Sequence, residues 1–263
     1  MKNGLIYLTY QSEACIKANW NSLLQMAIPT SFYVVDNAST DNGPKLLRDA
    51  GVPVHINEKN VGFTAGINQG LQHFWDKDVD FVWIVNPDVR PLVSGWDEIV
   101  LGDLTSRERV GMIGTKQVDA NGNIVHSGGI ITKPLLTYLT VFHELGNGMA
   151  VAQRDAVCPT RFRHRTTDVK TAERVSWVTF AAVALRMEMV REVGLIDEKL
   201  YLYCSDSKYA MQTAEKGWEC WYNPSVTFQH EGGASMRFAD SWINQQAIRD
   251  IKRFAEEELN WLP

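Results

Sequence analysis

The chain is short of nearly everything that would mark a specialised class. Its 263 residues include only four cysteines, Cys15, Cys158, Cys204 and Cys220, scattered without CxxC or any metal-finger spacing. A disulfide framework is not expected at this length, and the thiols read as reduced, in a cytoplasmic protein. No apolar run approaches the length that spans a bilayer, which leaves peripheral attachment through a short surface patch as the remaining route to a membrane. Residues 1–8 enter an apolar strand at once, with no h-region or small-residue cleavage site, so no signal peptide is expected. No low-complexity stretch, linker or internal repeat interrupts the chain, and disorder is not expected. Neither sign of charge dominates. With 26 Lys+Arg against 31 Asp+Glu, the net charge of −5 argues against a dedicated nucleic-acid coat. Tryptophan is the exception to this scarcity, with nine residues. Its flat apolar face serves a core or a sugar ring equally well.

Strands and helices alternate through the first half. Apolar runs at 5–9, 32–36, 54–56 and 81–85 read as strands. Helical spacing occupies 14–28 up to Pro29, 44–50 before Gly51, and 63–75. This alternation predicts an α/β protein with a mostly parallel sheet and helices on its faces. Ligands of such sheets lie beyond the carboxyl ends of the strands, so Thr9, Asp36 and Asp88 become candidates. In the second half, helices are expected at 94–104, 188–193, 206–216 and 242–259. Strands are expected at 110–115, 218–222 and 226–229, and 175–185 is apolar and β-rich. Residues 132–174 lack periodicity and read as a long functional loop. A single domain in two parts is expected, residues 1–115 and 116–240, with 241–263 as a terminal helix.

Four runs carry chemistry. Val34-Val35-Asp36-Asn37-Ala38-Ser39-Thr40-Asp41 delivers a carboxylate from a strand end into a polar turn. Such a group accepts hydrogen bonds from a base or ribose, or merely satisfies its own turn. Asn60-Val61-Gly62-Phe63-Thr64-Ala65-Gly66-Ile67-Asn68-Gln69-Gly70 spaces its glycines by four, which is not the dinucleotide fingerprint. These glycines let a diphosphate approach a helix N-terminus, or let the helix pack tightly on the sheet. Asn86-Pro87-Asp88 sets two oxygen-bearing side chains two apart at a strand end, as a hard divalent cation requires. Finally, Asp206 opens a predicted helix, as an N-cap or a general base. His230 follows a strand, as a structural residue or a metal ligand.

Taken in order, these runs resemble the family 2 glycosyltransferases of the GT-A fold, and most of all their rhamnosyltransferase-type members. The resemblance rests on VVDNASTD at 34–41, NVGFTAGINQG at 60–70, IVNPDV at 84–89 and WVTFA at 177–181. It continues through GLIDEKLYLYCSDSKY at 194–209, GW at 217–218 and FQHEGGAS at 228–235, with VGMIG at 110–114 and HSGG at 126–129 matching the middle segment. It implies a Rossmann-like mixed sheet that binds a nucleotide-sugar of UDP or dTDP type. Thr9, Asp36, Asn37, Ser39, Asn60, Gly62, Gly66, Asn68 and Asn86 would lie on the donor side. Asp88 and His230 would hold Mn²⁺ or Mg²⁺, and Asp206 would be the general base of an inverting transfer. Trp177, Phe180, Arg163 and Arg165 would face the acceptor: a saccharide, a lipid-linked saccharide or another hydroxyl.

Three positions depart from the family pattern. Ser205 and Lys208 stand where it has acids, and Phe180 stands where it has a small glycine, which would narrow any pocket there. The lost acids motivate a competing reading as a non-catalytic nucleotide-sugar-binding protein. A sugar nucleotidyltransferase would need a Gly-rich, basic loop after the first strand, and residues 9–13 have neither feature. The basic run Arg161-Phe162-Arg163-His164-Arg165, with Lys170 and Arg174, reads as a solvated loop or as a phosphate-handling acceptor loop. The second possibility keeps a nucleic-acid acceptor open.

Overall fold

The structure is a computed structural model, and the described residues are 1–131, 140–145, 148–153, 162–231 and 241–257. The chain runs β1 (Asn3–Thr9), α1 (Glu13–Leu23), β2 (Thr30–Asp36), α2 (Gly43–Asp49), β3 (Val54–Ile56), α3 (Phe63–Phe74), β4 (Phe81–Val85), β5 (Val89–Pro91) and α4 (Trp96–Leu101). A 3₁₀ turn, Gly102–Ser106, leads into β6 (Val110–Val118), β7 (Ile124–His126), β8 (Gly129–Ile131), β9 (Thr140–Leu145), β10 (Gly148–Gln153), β11 (Phe162–His164) and β12 (Glu173–Val175). Then come β13 (Ala182–Arg186), α5 (Met187–Val193), α6 (Ser205–Glu215), β14 (Glu219–His230) and α7 (Ser241–Glu257).

One mixed sheet organises these elements, in the order β12-β14-β6-β13-β4-β1-β2-β3. The β4-β1-β2-β3 part is parallel, as the strand–helix alternation predicts. β13 is inserted antiparallel between β4 and β6, and β14 runs parallel to β6. Alternation along the strands splits the apolar residues into two layers. Leu5, Tyr7, Val34, Trp83 and Val85 pack under α1, α2 and α4. Ile6, Leu8, Val35, Val82 and Ile84 pack under α3, α5 and α6.

Several boundaries differ from the sequence expectation. The first helix stops at Leu23 instead of running to residue 28. The buried carboxylate of Asp97 accepts the N–H groups of Ala27 (2.7 Å) and Ile28 (3.0 Å), drawing them out of the helix. The helix expected at 94–104 is α4 followed by the 3₁₀ turn. The two strands expected at 218–222 and 226–229 are one, β14. Its register is irregular between Asn223 and Thr227, where Pro224 has no N–H to give the ladder. Within the segment expected to be a long loop, β9 pairs with β10 and β11 with β8. Three short strands escaped the sequence pattern, β5, β7 and β8, because three residues carry no period. Of the tryptophans, Trp83, Trp96, Trp177 and Trp218 are fully buried. Trp242 is 47% exposed and meets the Tyr201 ring in a T-shaped contact, with centroids 5.3 Å apart. Trp261 and Cys158 lie outside the described residues, and Cys15, Cys204 and Cys220 are thiols outside any disulfide.

Candidate active site

The candidate residues gather at the carboxyl edge of the sheet. Thr9 and Asp36 end β1 and β2 side by side in register. Asp36 is wholly buried, and its carboxylate accepts three bonds: Thr9 Oγ1 at 2.7 Å, the Ser39 N–H at 2.8 Å and Ser39 Oγ at 2.6 Å. Ser39 Oγ in turn accepts the Gln11 N–H at 2.9 Å. The Asx-type turn foreseen for this run is therefore formed. Ala38, just beyond, holds φ at 61°. Asn37 donates to the Gly62 carbonyl at 3.0 Å and accepts from Asn57 at 2.9 Å, tying the β2 turn to the start of α3.

The four-spaced glycines serve helix packing. A Cβ at Gly66 would lie 2.6 Å from Leu8, and one at Gly70 2.6 Å from Ile6, so α3 sits directly on β1. Gly62 needs its freedom twice over. Its φ is +93°, and a Cβ would lie 2.8 Å from the Tyr201 carbonyl. Asn60 accepts the Gly62 N–H and the Tyr201 hydroxyl, each at 2.9 Å. Asn68 spends both N–H donors on the Ile196 carbonyl (2.8 Å) and Glu198 (2.9 Å), fastening α3 to the 194–198 segment instead of facing a ligand.

β5 brings the two metal candidates together. It pairs antiparallel with β14, with His230 opposite Val89, and Asp88 is the residue before β5. His230 Nε2 lies 3.6 Å from Asp88 Oδ2, and the Glu231 N–H donates to the Asp88 carbonyl at 3.0 Å. On the other side of the ring, His230 Nδ1 lies 2.8 Å from Gln117 Oε1. Among the described residues no group of three or more His, Cys, Asp or Glu side chains converges. One carboxylate and one imidazole nitrogen still fit a divalent cation that takes its remaining ligands from phosphate oxygens and water. Asn86 lies beside them, its N–H donating to the Ala181 carbonyl at 2.9 Å.

Asp206 stands in the first turn of α6, after Cys204 with its φ of 63°. Burial raises its carboxyl above the usual range, to about 6, against the opposing bonds from the Ser207 and Phe180 N–H groups and Ser207 Oγ. Among the described residues, the non-glycine positions with positive φ are Gln11, Ala38 and Cys204. Each lies two residues from Thr9, Asp36 or Asp206, and backbone strain gathers at functional sites in this way.

The segment before β13 joins these groups. Thr179 Oγ1 accepts from Gln117 Nε2 at 2.8 Å, the Phe180 N–H faces Asp206, and the Ala181 carbonyl receives Asn86. The Phe180 ring lies in the core between Phe63 (6.3 Å) and Tyr209 (6.2 Å), so the substitution fills the α3–α6 layer. Trp177 is buried, and its carbonyl accepts the Gly129 N–H at 2.9 Å. Lys208, where an acid was expected, is buried and pairs with Asp197 at 2.7 Å.

Arg165 is occupied within the fold. Its guanidinium binds the Ser127 carbonyl (Nε at 2.8 Å) and pairs with Glu173. Lys170 pairs with Asp168, and Arg174 with Glu219 at 3.1 Å, which is how a basic loop in an acidic protein satisfies itself. Arg163 pairs through its backbone with Ile130, and its side chain lies outside the described atoms. Sequence reasoning missed Gln117 and Asp250. Asp250 accepts the N–H groups of Tyr201 (2.9 Å), Leu202 (2.7 Å) and Tyr203 (3.0 Å), in the segment that leads to Asp206. The signal was present: an acid within the apolar stripe of the terminal helix, four residues before Phe254.

Comparisons with known proteins bear on the family likeness and the fold. Residues 5–117 match the model of the Glycosyl transferase family 2. An N-acetylglucosaminyl-diphospho-decaprenol L-rhamnosyltransferase of Mycobacterium tuberculosis is 23% identical over 218 residues, covering 77% of this chain and 66% of its own. Among solved structures, the mannosyltransferase PcManGT from Pyrobaculum calidifontis, in complex with GDP-Man and Mn²⁺, superposes with a TM-score of 0.58 at 15% identity. It covers 87% of this chain and 56% of its own. GalNAc-T7 with UDP, GalNAc and Mn²⁺ gives a TM-score of 0.66 at 12% identity, over 99% of this chain and 49% of its own. The chain thus spans about half to two thirds of these proteins' lengths. Residues 5–117 thus carry the match to glycosyl transferase family 2, and the mixed sheet with helices on both faces is the GT-A fold of these glycosyltransferase structures.

Proposed function

We propose that the protein transfers a sugar, with inversion, from a nucleoside-diphosphate donor of UDP or dTDP type to an acceptor hydroxyl. The observation that carries this reading is the arrangement of residues 179–181, which link the Asp88–His230 pair, Asp206 and Asn86 within one turn of backbone. Thr9, Asp36 and Ser39 form the end at which the nucleobase is read. A Mn²⁺ or Mg²⁺ ion at Asp88 and His230 would offset the negative charge that develops on the leaving diphosphate. Asp206 takes the proton of the attacking hydroxyl. A carboxylate with a pKa of about 6 is ionised at neutral pH and is a stronger base than an ordinary aspartate. One base and a single in-line displacement invert the anomeric carbon and need no covalent intermediate.

The relative's name combines an L-rhamnosyl donor with a lipid-diphosphate-linked N-acetylglucosamine acceptor. An acceptor of that class is proposed here too. Among the described residues no helix is long and apolar enough to cross a membrane, and peripheral access to a lipid-linked acceptor is part of the proposal. The test measures sugar transfer and donor hydrolysis with Mn²⁺ for the wild type, Asp206→Asn and Asp88→Ala. Both variants should lose at least about a hundredfold in kcat. Full activity in both overturns the mechanism. Donor binding without turnover in the wild type, across an acceptor panel, supports the non-catalytic reading instead.

A further inference from the structure

Gln117 is 1% exposed, and its side chain reaches His230 of the candidate metal pair. It lies in β6, opposite Phe228 of β14 on one side and opposite His126 of β7 on the other. Its Oε1 is 2.8 Å from His230 Nδ1, and its Nε2 donates to Thr179 Oγ1 at 2.8 Å. Thr179 is held from a second direction, its N–H donating to His126 Nε2 at 3.3 Å. The amide is therefore clamped between the imidazole and an anchored hydroxyl.

An imidazole nitrogen that faces an amide oxygen at this distance carries the proton. The other nitrogen, Nε2, then bears the lone pair. Asp88 Oδ2 lies 3.6 Å from Nε2, longer than a hydrogen bond and a separation that suits two ligands of one cation. Only the Nδ1–H tautomer presents a free donor atom on the Asp88 side, and a metal ligand of this kind needs its remote nitrogen fixed by an acceptor.

We propose that Gln117, anchored by Thr179, is a positioning residue for His230: it holds the Nδ1 proton and turns the Nε2 lone pair toward the cation site shared with Asp88. This rests on the metal assignment made above, but its first half concerns the metal-free protein and can be tested without a cation. The amide oxygen is what matters, so Gln117→Glu preserves the device and Gln117→Leu removes it at nearly constant volume.

Imidazole ¹⁵N NMR of the metal-free protein, with His230 assigned by its replacement, should report the Nδ1–H tautomer in the wild type and in Gln117→Glu. In Gln117→Leu it should report a shift toward Nε2–H. Mn²⁺ titration followed by electron paramagnetic resonance, with UDP present, should show about 10- to 100-fold weaker binding in Gln117→Leu and near-wild-type binding in Gln117→Glu. An unchanged tautomer together with Mn²⁺ affinity within twofold in Gln117→Leu overturns the proposal. Should that variant fail to fold, Thr179→Val, which removes the anchor, carries the same tautomer readout. Unchanged Mn²⁺ affinity in Asp88→Ala overturns the metal assignment separately, and the tautomer result then stands without a metal role.

Discussion

Asp206, the proposed base, also carries a cost in stability. Burial favours its neutral form, so the folded protein holds this proton more tightly than the unfolded chain does. The stabilisation is complete below the unfolded value of 3.8 and is lost as pH rises through about 6. Above that range the ionised, partly buried carboxylate destabilises the fold by on the order of 2 kcal/mol, allowing for its partial exposure. Asp206→Asn should therefore melt several degrees higher than the wild type at pH 8 and no higher at pH 4, while transfer is lost. Calorimetry at the two pH values checks this, and an equal or lower Tm at pH 8 contradicts it. The wild-type pH profile of kcat/KM should carry an acidic limb near about 6. Asp206 was legible in the sequence because it sits in an ordered motif. Its raised pKa was not, since burial comes from neighbours that the motif does not contain.

At the scale of elements, two devices hold the site. The first is the contact of α3 with β1. Gly66→Ala would place a methyl group 2.6 Å from Leu8, so the helix must shift or the core must open. A loss of about 1–3 kcal/mol is expected, read by chemical denaturation, and a loss below about 0.5 kcal/mol would refute the packing account. The helical spacing of these glycines was visible in the sequence. Which surface they met was open, and Leu8 and Ile6 decide it. The second device is α7, whose Asp250 gathers the N–H groups of residues 201–203. Asp250→Ala leaves three half-buried donors without their acceptor. It should cost about 1–3 kcal/mol and should lower kcat by loosening the approach to Asp206, with donor affinity little changed. A fall in donor affinity with kcat intact would assign Asp250 to the donor side.

Across the whole molecule, parallel β4-β1-β2-β3 presents the proposed nucleotide end, and residues 179–181 lead into β13, the strand inserted antiparallel beside β4. A ligand that binds only this assembled edge stabilises the entire fold. At a nucleotide-sugar concentration of 100 Kd the gain is about 2.7 kcal/mol, a Tm rise of several degrees. UDP- and dTDP-sugars should show this rise with Mn²⁺ and a smaller one with chelator. In Asp88→Ala the difference between the two conditions should vanish. Equal shifts with and without metal in the wild type would remove the cation from donor binding.

The sequence by itself determined the fold class, the parallel first half and the order of the motifs, because hydrophobic period and turn chemistry are local properties. It also exposed Asp36, Asp88, Asp206 and His230 as candidates. Only the tertiary structure decided what those residues meet. The pairing of β5 with β14 joins Asp88 to His230 through a strand too short to show a period. The Gln117–Thr179 clamp and the Asp250 cap link residues far apart in the chain, where no local pattern points from one partner to the other. The same holds for the basic loop, whose Arg165, Lys170 and Arg174 find acidic partners at Glu173, Asp168 and Glu219. Charge composition counts such groups, but only folding brings them together.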